Sequence, residues 1–281
     1  PISRSPPQER MAIAILFVAF LLRIQSAMPA SNQNFLGGSA MSYPDQPPNL
    51  DFKNNLENVL DTLVLRASKT GFSNSSFGES PDRAYGLYLC RGDLDTQACS
   101  DCVSYAKDTV LKEWQNFIEA EYRYDHCMLR YANRSVVGEM DENSWSTSFS
   151  NPRNGTWNRI WFAQVLNVTL NHLSVQAAYD SSGMRFATKV TKITRSESLY
   201  AMGQCTWDLT PSDCNKCLTK MVKKLTKCSY CSSGRAQSPN CIVRYATSPF
   251  LNGTVTLTSS PLPSPAATTL RGPHHEGAEV M

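Results

Sequence analysis

The chain has 281 residues, of which 41% are apolar and 18% charged, with 10 cysteines and a formal net charge of +3. That length accommodates two domains of ordinary size, and that composition excludes disorder except at the ends. No G-x-S-x-G, H-E-x-x-H or phosphate-loop pattern occurs, which removes the usual signatures of hydrolases, zinc proteases and nucleotide-binding enzymes.

At the N-terminus, Met11 opens an apolar run from Ala12 to Leu22, followed by small residues at Ser26, Ala27 and Ala30. The run has the length of a signal-peptide core and is short for a bilayer span, so residues 11–30 are expected to be a leader with Met11 as the natural start. A membrane anchor is the rival reading, disfavoured because the run stops at Arg23. N-x-[ST] sequons at Asn74, Asn133, Asn154, Asn167 and Asn252 agree with an extracellular glycoprotein. Ten cysteines then fit an oxidising compartment.

The first amphipathic helix is expected around Leu56, Leu60, Leu63 and Ala67, whose spacing places them on one face. Next comes Cys90, then Cys99 and Cys102, on a second helix that Asp95 caps and that continues through Ala106, Val110 and Trp114. The segment from Tyr122 to Tyr131, which contains Cys127, reads as a strand. The whole pattern then returns. Cys205, Cys214, Cys217, Cys241, Arg244 and Tyr245 repeat Cys90, Cys99, Cys102, Cys127, Arg130 and Tyr131 at an offset of 115 or 114 positions.

In the second copy Leu166, Leu170, Leu173 and Ala177 mark the first helix. Thr210 caps the second, Pro211 takes its first position and Asp213 lies in its positive first turn. Cys217, Met221 and Leu225 share its inner face, and Cys241 to Ala246 reads as a strand. In each copy two helical cysteines three apart can staple the helix to two neighbours, Cys90 or Cys205 upstream and Cys127 or Cys241 downstream. Two helices stapled across an antiparallel sheet make an α+β domain. The expected boundaries are 31–138 and 146–252, with a Ser/Thr/Pro-rich tail at 253–281 read as a flexible stalk. No apolar run of membrane-spanning length occurs in that tail.

Tyr85-Gly86-Leu87-Tyr88-Leu89-Cys90-Arg91-Gly92-Asp93-Leu94, followed by C-x8-C-x2-C and C-x2-R-Y, resembles the plant cysteine-rich repeat secretory proteins. Their ginkbilobin-like, or stress-antifungal, unit also forms the extracellular half of cysteine-rich receptor-like kinases and of plasmodesmata-located proteins. The resemblance implies a five-stranded antiparallel sheet with two helices in each repeat. It also implies the bridges Cys90–Cys99 and Cys102–Cys127 in repeat one, and Cys205–Cys214 and Cys217–Cys241 in repeat two. A further bridge common in the family has no cysteines in repeat one, where Trp114 stands at the second partner's place. Cys228 and Cys231 remain and are assigned to each other, for structural closure rather than redox chemistry.

The prototype antifungal member binds mannose through an Asn, an Arg and a Glu. Repeat two matches only the Arg, as Arg235, and has Ala246 for the Glu; repeat one has Glu121 and Ala132 there. Arg235 is therefore a candidate ligand contact, with a surface arginine as the plainer reading, and mannose binding is not expected. No metal or cofactor is expected, because the C-x2-C pairs come with partners at disulfide spacing. His126, on the predicted strand, and His172, on a helix, read as packed or surface histidines, while His274 and His275 lie in the tail.

Residues 31–150 hold 10 Lys and Arg against 17 Asp and Glu, whereas residues 151–281 hold 14 against 6. Lys216, Lys220, Lys223 and Lys227 form one stripe on the second helix of repeat two, either a solvated face or a contact for an acidic polymer, an anionic lipid surface or another copy. The expectation is a secreted, non-enzymatic apoplastic protein of plant defence or stress response. It would bind a cell-wall or microbial carbohydrate or a protein co-receptor, and nucleic acid is excluded as a partner. The alternatives are the sensor region of a receptor-like kinase, or of a plasmodesmal membrane protein, continuing beyond Met281.

Overall fold

The computed structural model describes residues 35–41, 48–114, 116–150, 158–194, 196–228 and 230–252; the leader at 11–30, the tail at 253–281 and Asn154 lie outside them. The chain divides into two units between Val137 and Gly138.

In the first unit Asn49 accepts the Phe52 amide through its side chain at 2.8 Å and starts α1, Leu50–Ala67. This cap satisfies one of the first-turn amides that no helical carbonyl can reach. Phe52, Leu56, Val59, Leu60, Leu63 and Ala67 are buried, so the predicted stripe is the core face. The chain then turns through Gly71 into β2, Phe72–Phe77, and β3, Ala84–Cys90. Asp95 caps α2, Thr96–Thr109, by accepting from the Ala98 amide. With β1, Phe35–Met41, and the hairpin β4, Glu119–Tyr124, and β5, Cys127–Ala132, these strands form an antiparallel sheet of order β1-β4-β5-β3-β2. Ala84, Tyr88, Tyr122, Leu129 and Tyr131 alternate onto the helix side, where one hydrophobic cluster joins sheet and helices.

The second unit repeats that order. Asn158 caps α3, Arg159–Ala178, which is followed by β7, Phe186–Lys192, β8, Ser198–Cys205, α4, Pro211–Leu225, β9, Ser233–Gln237, and β10, Cys241–Ala246. The edge strand β6, Ser146–Phe149, completes the sheet β6-β9-β10-β8-β7. Each unit is thus α+β, a five-stranded antiparallel sheet carrying two helices among the described residues.

The five bridges are Cys90–Cys99, Cys102–Cys127, Cys205–Cys214, Cys217–Cys241 and Cys228–Cys231. Register explains four of them. Cys90 lies opposite Cys127 on adjacent strands, and Cys205 opposite Cys241, so two helical cysteines three apart reach both members of each strand pair. Each helix is thereby clamped to two central strands at one end.

Three sequence readings need correction. The second helix of repeat one does not continue as α-helix to Trp114: α2 ends at Thr109, and Val110–Trp114 is a π-helical turn. Val110 is buried there and Leu111 packs partly against the same core. Tyr122 to Tyr131 is two strands, because the chain reverses at Asp125 and His126. His126 therefore sits in a turn rather than a strand, and its carbonyl accepts the Arg91 amide at 2.8 Å. Lys227 lies past the end of α4, which Thr226 caps, so the helix itself carries Lys216, Lys220 and Lys223 of the predicted stripe.

Candidate functional site

Strand alternation builds the first candidate site. Ala236, Val243 and Tyr245 point to the helices, so Arg235 and Arg244 emerge on the opposite face of the second sheet. They are register partners on β9 and β10, and Ser148 on the edge strand lies opposite Arg235. Together with Ser150, Ser248 and Phe250 they line a cleft of 460 Å3. The Arg244 guanidinium lies 4.1 Å from the centre of the Phe250 ring, an arrangement in which the ring's negative face favours the cation and holds the side chain in place. Ser150 Oγ is fixed from both sides, accepting the Ser233 amide at 3.0 Å and meeting Ser232 Oγ at 3.0 Å.

The described lining residues bring two half-buried guanidiniums, several hydroxyls and no acidic side chain, groups of the kind that hydrogen-bond to anions. Ala246 lines the same cleft and brings no acceptor, so the Arg-Glu pair that discriminates a neutral sugar hydroxyl is missing. Arg235 is therefore a half-buried strand residue in a polar cleft. In the sequence Arg244 stood only as a marker of the repeat; alternation from Cys241 places it on the face turned from the helices.

The second candidate is the lysine stripe, and it has a cover. Residues 138–145 run along α4: Lys216 Nζ donates to Glu142 Oε1 at 2.7 Å, Lys220 donates to the Glu142 carbonyl, and Lys224 Nζ sits 3.3 Å from the centre of the Trp145 ring. The ion pair draws the Glu142 carboxyl below the usual carboxylate range and pushes Lys216 up, while desolvation lowers Lys224. Counted by sequence, Glu139, Asp141 and Glu142 added to the acidity of the first half; structurally they belong to the second unit, where Glu142 pairs with Lys216.

The remaining predicted positions are scattered. Asn74, Asn133, Asn167 and Asn252 are exposed, on β2, after β5, on α3 and after β10 respectively, as glycan acceptors require. The exposed His172 places Nδ1 3.3 Å from Nζ of the buried Lys189 and lines neither cleft. Every cysteine is in a bridge, which removes thiol ligands and thiol nucleophiles. Among the described residues no group of three or more His, Cys, Asp or Glu gathers as a metal site.

Comparison with known proteins gives the framework a family. The model described as salt stress response/antifungal matches residues 39–134 and 148–248, one match on each repeat. The chain belongs to that family. Among salt stress response/antifungal proteins, the chain is 33% identical over 264 residues to cysteine-rich receptor-like protein kinase 25 of Arabidopsis thaliana, aligning with 92% of this chain and 38% of the relative. It is 32% identical to the putative cysteine-rich receptor-like protein kinase 9 of the same plant, over 75% of this chain and 80% of that one. The chain thus spans well under half the length of the first of these relatives. The fold is that of the tandem DUF26 ectodomain of the Arabidopsis thaliana cysteine-rich receptor-like protein PDLP8, with a TM-score of 0.63 at 24% identity over 77% of this chain and 98% of that one. Among the described residues no helix is long and apolar enough to cross a membrane.

Proposed function

We propose that this protein is a non-enzymatic binding protein of the plant apoplast whose second repeat recognises an anionic carbohydrate, such as a uronic acid of the cell wall or of a microbe. The carrying observation is the register pairing of Arg235 with Arg244 at the floor of a serine-lined cleft. A guanidinium offers a planar fork of donors that matches a carboxylate, and two of them side by side favour an acidic sugar over neutral mannose. The serine hydroxyls supply short-range partners for ring hydroxyls, and Phe250 holds one arginine in place. Titration calorimetry of the intact protein with oligogalacturonate and with mannose tests the reading. Binding of the acidic oligomer, lost in Arg235→Ala and Arg244→Ala with melting temperature nearly unchanged, is the expected result. Equal affinity for mannose, or uronate binding indifferent to both substitutions, refutes it.

A second reading draws on the relatives. They are receptor-like kinases, and this chain aligns with less than two fifths of the first of them. The same binding unit would then be the sensor region of a longer receptor, and a ligand bound at Arg235 and Arg244 would be its signal. Sequencing the transcript past Met281 separates the two: an in-frame apolar run of about 20 residues supports the receptor, and a stop codon supports the secreted protein.

A further inference from the structure

The cover on the lysine stripe leaves a second opening, separate from the arginine cleft. Between α4 and residues 138–145 lies a cleft of 290 Å3 whose lining combines Met140, Trp145 and Met221 with Lys216, Lys220 and Lys223, and also includes Asp141, Glu142 and three hydroxyl side chains. The covering segment is firmly held. Gly138 donates its amide to Asp208 Oδ2 at 2.6 Å. Asn240, itself buried, receives the Asp141 amide at 2.8 Å and donates to the Glu139 carbonyl at 2.9 Å. Asp141 then accepts the amides of Asn143 and Ser144, forming a local turn. The cleft is thus a standing feature of the unit and not a gap under a loose loop. Trp145, 46% exposed, forms one wall with Lys224 packed against its ring.

The geometry points to this cleft as a docking site for an acidic peptide segment of a partner protein, bound extended, with one apolar side chain on the methionines and the indole and carboxylates on the lysines. Three observations select that occupant. The apolar part of the lining is two thioethers and an indole, which suit an aliphatic or aromatic side chain. The volume is at the small end for ligand pockets, the size of one side chain rather than of a cofactor. From Lys216 to Lys220 the helix advances about 6 Å, and alternate residues of an extended chain, which point to the same side, lie about 6.6 Å apart. Two acidic residues two apart therefore meet the lysines from one side of the chain, while the apolar residue between them points to the other side, toward the methionines and the indole. Glu142 already places a carboxylate on Lys216, so it acts as an internal competitor that an incoming peptide displaces.

This yields an effect of unusual sign. Removing the charge of Glu142 should tighten binding by several-fold, because the competitor for Lys216 disappears. Asp180→Asn, with the same change in net charge on the same unit, should leave it unchanged.

The test uses the intact protein and a capped peptide, Gly-Glu-Leu-Glu-Ser-Gly, titrated while tryptophan fluorescence is followed. A peptide of the same composition with adjacent glutamates and a terminal leucine serves as comparison, with trigalacturonate and phosphatidylserine vesicles as further probes. Expected results are a fluorescence change absent in Trp145→Phe and affinity reduced about tenfold in the triple variant Lys216→Gln, Lys220→Gln, Lys223→Gln, as several exposed pairs lost together allow. Glu142→Gln should bind more tightly than both the unaltered protein and Asp180→Asn. Titration by calorimetry of Trp145→Phe confirms that binding, and not only the signal, is being followed. The inference is overturned if the rearranged peptide binds equally well, if Glu142→Gln and Asp180→Asn behave alike, or if trigalacturonate or the vesicles compete for the lysines more strongly than the peptide. None of these outcomes depends on the arginine cleft, so the carbohydrate reading stands or falls separately.

Discussion

The two repeats share strand order, caps and four bridges, yet the sheet face turned from the helices has opposite chemistry in each. In repeat one Arg130 is buried and pairs with Glu119 at 2.8 Å, and Glu121, its register partner, pairs with Arg123. In repeat two the same two positions are Arg244 and Arg235, and they face a polar cleft. Three exchanges, Glu119 to Ser233, Glu121 to Arg235 and Arg123 to Gln237, thus separate the ion-paired face of repeat one from the arginine-bearing cleft of repeat two. Duplication preserved the frame, and the frame places no demand on the outward residues beyond strand alternation.

Removing a frame bridge should give the largest effect. Cys102→Ser with Cys127→Ser, or Cys217→Ser with Cys241→Ser, opens a loop of about 25 residues and should cost its own repeat about 3.5 kcal/mol. Calorimetry should show that repeat's transition move furthest. Loss of equal size in both repeats from one substitution pair would show that they unfold as a single cooperative unit.

Next comes Arg130→Ala, which leaves Glu119 with only the half-exposed Arg134 and should cost about 2–3 kcal/mol. Arg244→Ala at the matching position should cost less than about 1 kcal/mol, because Arg244 is only half-buried. Urea unfolding of both variants checks the contrast directly, and similar losses would erase the functional distinction drawn between the faces.

The short bridge comes third. Cys228–Cys231 closes a loop that Tyr245 also holds, its hydroxyl donating to the Cys231 carbonyl at 3.3 Å; in repeat one Tyr131 donates instead to the Phe117 carbonyl at 3.2 Å. Replacing both cysteines by serine should cost about 2 kcal/mol, less than the frame bridges. A smaller step is Gly86→Ala. The new Cβ would lie 2.7 Å from Val59 Cγ1 and 3.1 Å from Leu63 Cδ1, and the stiff valine cannot swing away. A loss of about 1–2 kcal/mol is expected from overpacking, although repeat two carries Ala201 at the equivalent position.

The mildest test is alkaline. Burial raises Tyr88 to about 12 and pushes Tyr131 and Tyr245 up as well. Unfolded tyrosines lose their protons near pH 10 while these keep theirs, so the stability they contribute is complete below pH 10 and falls as pH rises toward 12 and beyond. Melting temperature should decline across that interval in both repeats, with tyrosinate absorbance lagging behind that of the denatured chain.

Much of this architecture was legible in the order of residues. The cysteine spacings, the Asp95 and Thr210 caps and the apolar stripes of α1 and α3 are local signals, each depending on neighbours within a few turns. Amino-acid order alone therefore determined the duplication, the helices and the face each would bury. What tertiary structure decided depends on residues distant in sequence. Arg235 meets Arg244 and Ser148 only through register, Asp125 and His126 reverse the chain where strand-like residues run on, and Glu142 reaches Lys216 across 74 positions. Periodicity reports which side of an element is buried and carries no information about what folds over its exposed side, and so the lysines read as a bare stripe until the segment that covers them was in place.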